Sequence, residues 1–134
     1  MVKLNEDEKR IYKFLANFLG ESKEVGGSEG LYQSLFYSHA RRYFPAKCIL
    51  REVRVKSGFI DFGIETEAIR YAFELKGGAN GHRNSLRKMK EEEGRGKGLA
   101  HDLTKLHEYR DSSLVDSVLT FLVCIDIEAL DIAF

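Results

Sequence analysis

Apolar residues in the first part of the chain recur with the period of an α-helix. Ile11, Phe14, Leu15, Phe18 and Leu19 fall on one face, behind Asn5 and Glu8, whose spacing suits a capping box. This predicts a first helix ending at Gly20. The stretch ESKEVGGSEG, rich in glycine and charge, reads as a loop. Ser28 can cap a second helix to about Tyr43, with Leu31, Leu35 and Phe36 as its apolar stripe, Arg41 and Arg42 in its last turn, and Pro45 as its stop. From Lys47 the period shortens to two: Ile49, Arg51, Val53 and Val55 alternate with Cys48, Leu50, Glu52, Arg54 and Lys56, which predicts a strand and then a turn at Ser57-Gly58. GFIDFGIE and AIRYAFELK read as a second and a third strand, broken by Gly77-Gly78. A short helix is expected over 85–93. Leu99, Leu103 and Leu106 mark a further helix ending near Tyr109. SVLTFLVCIDI is apolar almost throughout, the pattern of a strand covered on both faces in the middle of a sheet. The order α-α-β-β-β-α-β predicts an α/β domain: a mixed α+β sheet flanked by helices, its last strand parallel to a neighbour through a helical crossover.

The 134 residues suit one domain. Cys48 and Cys124 both lie in strand-like stretches, which argues against a disulfide scaffold or a cysteine-built zinc site and suits a reducing cytoplasm. Asp126 and Glu128 interrupt the longest apolar run below the roughly 18 residues of a membrane span, so no membrane partner is expected. MVKLNEDEKR is charged at once, with no apolar signal core. The 21 basic and 21 acidic side chains are unevenly spread: residues 31–97 carry 14 basic and 8 acidic groups, residues 98–134 only 2 and 7. Such segregation supplies the positive face a nucleic-acid binder needs.

The second and third strands carry the candidate chemistry. Alternation puts Tyr71, Phe73 and Leu75 on one face and Ala72, Glu74 and Lys76 on the other, and sets Ile60, Phe62 and Ile64 against Asp61 and Gly63. A two-residue turn at Glu67-Ala68 would then place Asp61 directly across from Glu74, with Cβ atoms about 5 Å apart. Two carboxylates so close repel, and a cation between them removes the penalty. Lys76 supplies one positive charge, and paired carboxylates with waters and a phosphate form an oxygen site of the kind Mg²⁺ prefers. The other reading of the same alternation is a solvated, ion-paired hairpin face. Acid-x-lysine triplets also occur at Asp7-x-Lys9 and Glu21-x-Lys23, but on a helix and in a loop. The strand setting and the upstream acid set Glu74-x-Lys76 apart.

Asp61, twelve intervening residues, then Glu74-Leu75-Lys76 within YAFELKGG resembles the signature of the PD-(D/E)XK nuclease superfamily, the restriction-endonuclease-like fold that includes archaeal Holliday-junction resolvases. Ile60 stands where that family carries a proline. The family's α-β-β-β-α-β core would span 28–127, with 1–27 an added helix and loop and 128–134 a tail. The glutamate that many members carry on the helix before the first core strand would be Glu29, with Glu24 as the fallback. The resemblance implies that Asp61, Glu74 and the Leu75 carbonyl hold Mg²⁺, with Mn²⁺ as a substitute. It implies that Glu29 binds a second ion or orients water, and that Lys76 steers or deprotonates the water or stabilises the transition state. The implied activity is that of a metal-dependent DNA endonuclease cutting phosphodiester bonds in duplex or branched DNA. One site cuts one strand, so a homodimer is implied as well. The apolar end, Ile132 to Phe134, reads as a candidate dimer surface or as a sign that the domain belongs to something longer.

HRNSLRKMKEEEGRGKG follows the motif with six basic against three acidic side chains. Its Arg83, Arg87, Lys88, Lys90, Arg95 and Lys97 are candidate phosphate contacts, the alternative being a solvated helix of Lys/Glu pairs. DLTKL at 102–106 resembles a stretch that follows the motif in the superfamily, which makes Lys105 a further nucleic-acid-binding candidate and turns Tyr109 toward the site. The plainer reading pairs Asp102 with Lys105 at the surface. Tyr32, Tyr37, Tyr43 and Phe44 suit either base stacking or a core. His82, His101 and His107 form no metal signature, and His39 reads as a packing or interface residue. The rival to a nuclease is a non-catalytic nucleic-acid-binding or assembly module that keeps the fold.

Overall fold

A computed structural model of the protein describes residues 5–24, 29–67, 69–76, 99–113 and 118–125, with the backbone but not the side chains of Glu29, Leu99 and Cys124. The first helix, α1 (Glu6–Ser22), opens on the expected box: Asn5 Oδ1 accepts the Glu8 N–H at 2.8 Å and Asn5 Nδ2 donates to Glu8 Oε1 at 3.0 Å. The helix runs past Gly20 to the buried Ser22, whose hydroxyl donates to the Leu19 carbonyl at 2.9 Å. One interior glycine costs about 1 kcal/mol, which tertiary packing overrides here. Helix α2 (Glu29–Arg41) unwinds through turn bonds back to His39 and Ala40 and stops before the extended Pro45. The Ser28 cap and the helix expected over 85–93 lie outside the described residues.

A 3₁₀ turn (Ala46–Cys48) delays the first strand, so β1 is Ile49–Val55, followed by β2 (Gly58–Glu65), β3 (Arg70–Lys76), helix α3 (Leu99–Asp111) and β4 (Val118–Cys124). The four strands lie in sequence order, β1 and β3 antiparallel to β2, and β4 parallel to β3. The β1–β2 turn falls at Lys56-Ser57, one residue earlier than expected, because Val55 pairs with Gly58 and the Ser57 N–H and hydroxyl both donate to the Glu108 carboxylate. Gly58 has φ 152°, a conformation that L side chains rarely adopt.

Helices α1 and α2 cover one face of the sheet and α3 the other. Under α1 and α2, Phe36 packs on Phe14, Phe62 and Phe73 with centroids 4.6–5.4 Å apart, and Phe73 stacks on Phe121 at 5.0 Å. Tyr32 and Phe44 are buried in this core and Tyr43 packs against it, so of the base-stacking candidates Tyr37 alone is exposed. Under α3 lie Ile60, Ala72, Leu106 and Tyr109, with Val53, Val55, Val118 and Leu122. Among the described residues β4 is an outer strand and β3 an inner one, which corrects the expectation that the apolar run SVLTFLVCIDI marks the middle. Its side chains do enter both cores, Phe121 and Val123 on one face and Val118 and Leu122 on the other. Such a run reports that both faces are covered and says nothing about edges.

Two more expectations give way. Leu103 is half exposed, and α3 turns Asp102, Leu106 and Tyr109 inward, so of the expected stripe Leu106 is buried, Leu103 is not, and the Leu99 side chain lies outside the described residues. Ile60 does not share a face with Phe62 and Ile64: it lies under α3 with Val53, its cross-strand partner. The reversal occurs where Glu52 takes φ 56°, between the pairs Arg51–Phe62 and Val53–Ile60 and level with Asp61. A left-handed residue in a strand breaks the alternation of faces and re-aims its neighbours. No helix among the described residues is long and apolar enough to cross a membrane.

Candidate metal centre

The β2–β3 hairpin has the expected register. Phe62 pairs with Phe73, Gly63 with Ala72, Ile64 with Tyr71 and Glu65 with Arg70, while the Thr66 N–H donates to the Ile69 carbonyl at 3.0 Å, leaving only positions 67 and 68 between them. The next level is Asp61 and Glu74, and there side chains take over from the backbone ladder. The Asp61 N–H donates to Glu74 Oε1 at 2.9 Å, and the Leu75 N–H donates to Asp61 Oδ2 at 2.9 Å. Each carboxylate thus accepts a backbone N–H from the opposite strand. Hydrogen bonds to ionised acceptors are about twice as strong as neutral ones and fix the orientation of both acids.

Helix α3 closes the site from above. Lys76 Nζ, at the end of β3, lies 2.8 Å from Asp102 Oδ2 and 3.6 Å from Glu74 Oε2. Lys105 Nζ lies 3.1 Å from Asp102 Oδ1, 3.5 Å from Glu74 Oε1 and 2.8 Å from the Phe59 carbonyl, to which it donates. Glu74 is 1% exposed and Asp102 5%. Asp102 and Lys105 therefore do pair, though inside the protein and jointly with Lys76, not at the surface.

The electrostatics follow from burial. Desolvation, and secondarily the Asp61 charge, push the Glu74 carboxyl up to about 7, against the pull of Lys76 and Lys105. For Lys76, burial pulls the ammonium down, but Asp102, Glu74 and Asp61 outweigh it and the net shift is upward. Among the described residues the cluster sets three carboxylates against two ammonium groups, one negative charge in excess when all are ionised. Protonating Glu74 relieves that excess, and a hard cation would relieve it without a proton. The donors suit such a cation: carboxylate oxygens of Asp61 and Glu74 from neighbouring strands, with the Leu75 carbonyl next in sequence. Among the described residues, no group of three or more His, Cys, Asp or Glu side chains is placed to hold a metal ion, so what these residues offer a cation is two carboxylates, backbone and water.

Of the sequence-predicted residues, Asp61, Glu74, Lys76 and Lys105 come together, with Leu75 between them. Glu29 opens α2, and its side chain is outside the description. Glu24 is exposed in the turn after α1. Tyr109 does not face the acid pair: its hydroxyl donates to Glu65 Oε1 at 3.0 Å and its ring lies under the Arg70 guanidinium at 4.9 Å, at the far end of β3. Its position seven residues beyond Asp102 carries it along the helix to that end. Arg83, Arg87, Lys88, Lys90, Arg95, Lys97 and Ile132 to Phe134 lie outside the described residues. His39 is a packing residue, buried with Nε2 against Glu21 Oε2.

Asp102 is the group that sequence reasoning left at the surface. A signal existed: Asp102, Leu106 and Tyr109 are spaced i, i+4, i+7, so a helix that buries the last two must also bury the first. The chain matches no protein-family model, no curated protein and no solved structure.

Proposed function

We propose that the protein is a metal-dependent DNA endonuclease of the restriction-endonuclease-like type, hydrolysing phosphodiester bonds with Mg²⁺ held at Asp61 and Glu74. The observation that carries this reading is the pair of carboxylates, bound crosswise to each other's strands, with a protonated lysine beside them. The order of one helix, three antiparallel strands, a helix and a parallel strand agrees with the core that the resemblance implies.

The chain's own groups have distinct tasks in this reading. Asp61 and Glu74 hold the cation, and the Leu75 N–H keeps Asp61 in place for it. Bound there, Mg²⁺ supplies Lewis acidity to the scissile phosphate and lowers the pKa of water. Lys76, kept protonated by its carboxylate neighbours, offers a fixed positive charge to the oxygens on which charge grows. Water adds to phosphorus, the bridging P–O bond breaks, and the leaving oxygen takes up a proton. DNA as substrate fits the excess of basic groups over 31–97, and a homodimer would bring two such sites to two strands.

A second reading has an observation in its favour. Lys76 and Lys105 already offset most of the negative charge, as they would in a non-catalytic binding module. Supercoiled plasmid and branched DNA incubated with Mg²⁺ or Mn²⁺ separate the two. Wild type is expected to nick or cleave, and Asp61→Ala and Lys76→Ala each to lose at least about a hundredfold in rate, the scale of removing one transition-state stabiliser. Salt-sensitive binding without cleavage supports the module instead. Cleavage that survives both substitutions rules out the proposed site.

A further inference from the structure

We propose that Asp102 is a positioning residue that keeps Lys76 and Lys105 from competing with the metal for Glu74. The inference rests on the metal-centre reading above. Asp102 spends one oxygen on each ammonium, Oδ2 on Lys76 at 2.8 Å and Oδ1 on Lys105 at 3.1 Å, whereas both lysines stand further from Glu74, at 3.6 and 3.5 Å. Lys105 is held from a third side by the Phe59 carbonyl at 2.8 Å. Each ammonium is thus held nearer to Asp102 than to the acid that would take the cation. Asp102 also occupies an inward position of α3, in line with Leu106 and Tyr109, where an apolar residue would serve the core. A carboxylate there is costly unless it is paired, and among the described residues it is paired with the two lysines of this site.

This arrangement solves a problem peculiar to a site that needs a lysine and a metal at once. An ammonium close to a carboxylate neutralises it and so opposes metal binding, and a bound metal repels the ammonium. A third carboxylate behind the lysines holds them near the acids without letting them close on Glu74. Take it away, and Glu74, within 3.6 Å of both, is a carboxylate on which both can close.

Calorimetric titration of Mn²⁺ into wild type, Asp102→Asn and the double variant Asp102→Asn/Lys105→Met tests this. The expected result is an affinity about tenfold weaker in Asp102→Asn, as freed ammonium groups move onto Glu74, with most of the loss recovered in the double variant. A merely structural role for Asp102 predicts no recovery on deleting a lysine, and that result overturns the inference. Equal affinity in wild type and Asp102→Asn overturns it while leaving the metal centre standing. No Mn²⁺ binding by wild type overturns both. Should Asp102→Asn not fold, the ¹⁵N–¹H signals of the Lys76 and Lys105 ammonium groups in wild type decide: they persist when Mg²⁺ saturates the site, and their disappearance overturns the inference.

Discussion

Replacing Glu74 by glutamine separates a site built for a cation from an ion-pair network built for stability. The carboxyl is displaced from an ordinary 4.5 to about 7, chiefly by burial and then by Asp61. At about 1.4 kcal/mol per unit, keeping it ionised in the metal-free protein costs about 3 kcal/mol. An acid whose folded pKa is raised destabilises as pH rises. The unfolded chain releases this proton near 4.5 and the folded protein only near 7, so stability falls between those values and is level above them. Glutamine is permanently neutral and keeps an Oε1 for the Asp61 N–H. Without metal, Glu74→Gln should therefore be more stable than wild type at pH 8 by about 3 kcal/mol, a gain of about 10 °C in Tm, and the two should converge near pH 4.5. Urea unfolding in EDTA at a series of pH values measures this. A variant less stable than wild type at pH 8 would mean that Lys76 and Lys105 more than compensate the buried charge, leaving no excess for a cation to offset.

Two further outcomes follow from the fold. Glu52 sits at φ 56°, so Glu52→Gly should leave stability unchanged or raise it by up to about 1 kcal/mol, whereas Glu52→Val should cost more than 1 kcal/mol, both by urea unfolding. Phe36, fully buried among Phe14, Phe62 and Phe73, should cost about 3–5 kcal/mol as Phe36→Ala, with no change in metal affinity per folded molecule.

The acid pair is legible in the sequence because strand geometry leaves little freedom. Period two, a two-residue turn and a central position for Phe62 and Phe73 suffice to set Asp61 level with Glu74. What lies around the pair is less legible. The change of face at Ile60 depends on a left-handed glutamate at position 52, where neither glycine nor asparagine announces it. The inward turn of Asp102 depends on lysines from two different elements meeting it. Reading leucines alone selects Leu103, which the structure leaves half exposed, because an isolated aspartate is assumed to seek water. The strand order around β4 needs the pairing itself, since side-chain polarity carries no record of which edge is free.

Asp61 and Glu74 are proposed to share one divalent cation, and Mn²⁺ counted by electron paramagnetic resonance at pH 7.5 decides whether they do. Wild type is expected to hold at least one tightly bound ion per chain, and both Asp61→Asn and Glu74→Gln to lose it. Free Mn²⁺ throughout the wild-type titration, or a bound ion that persists in both variants, would contradict it.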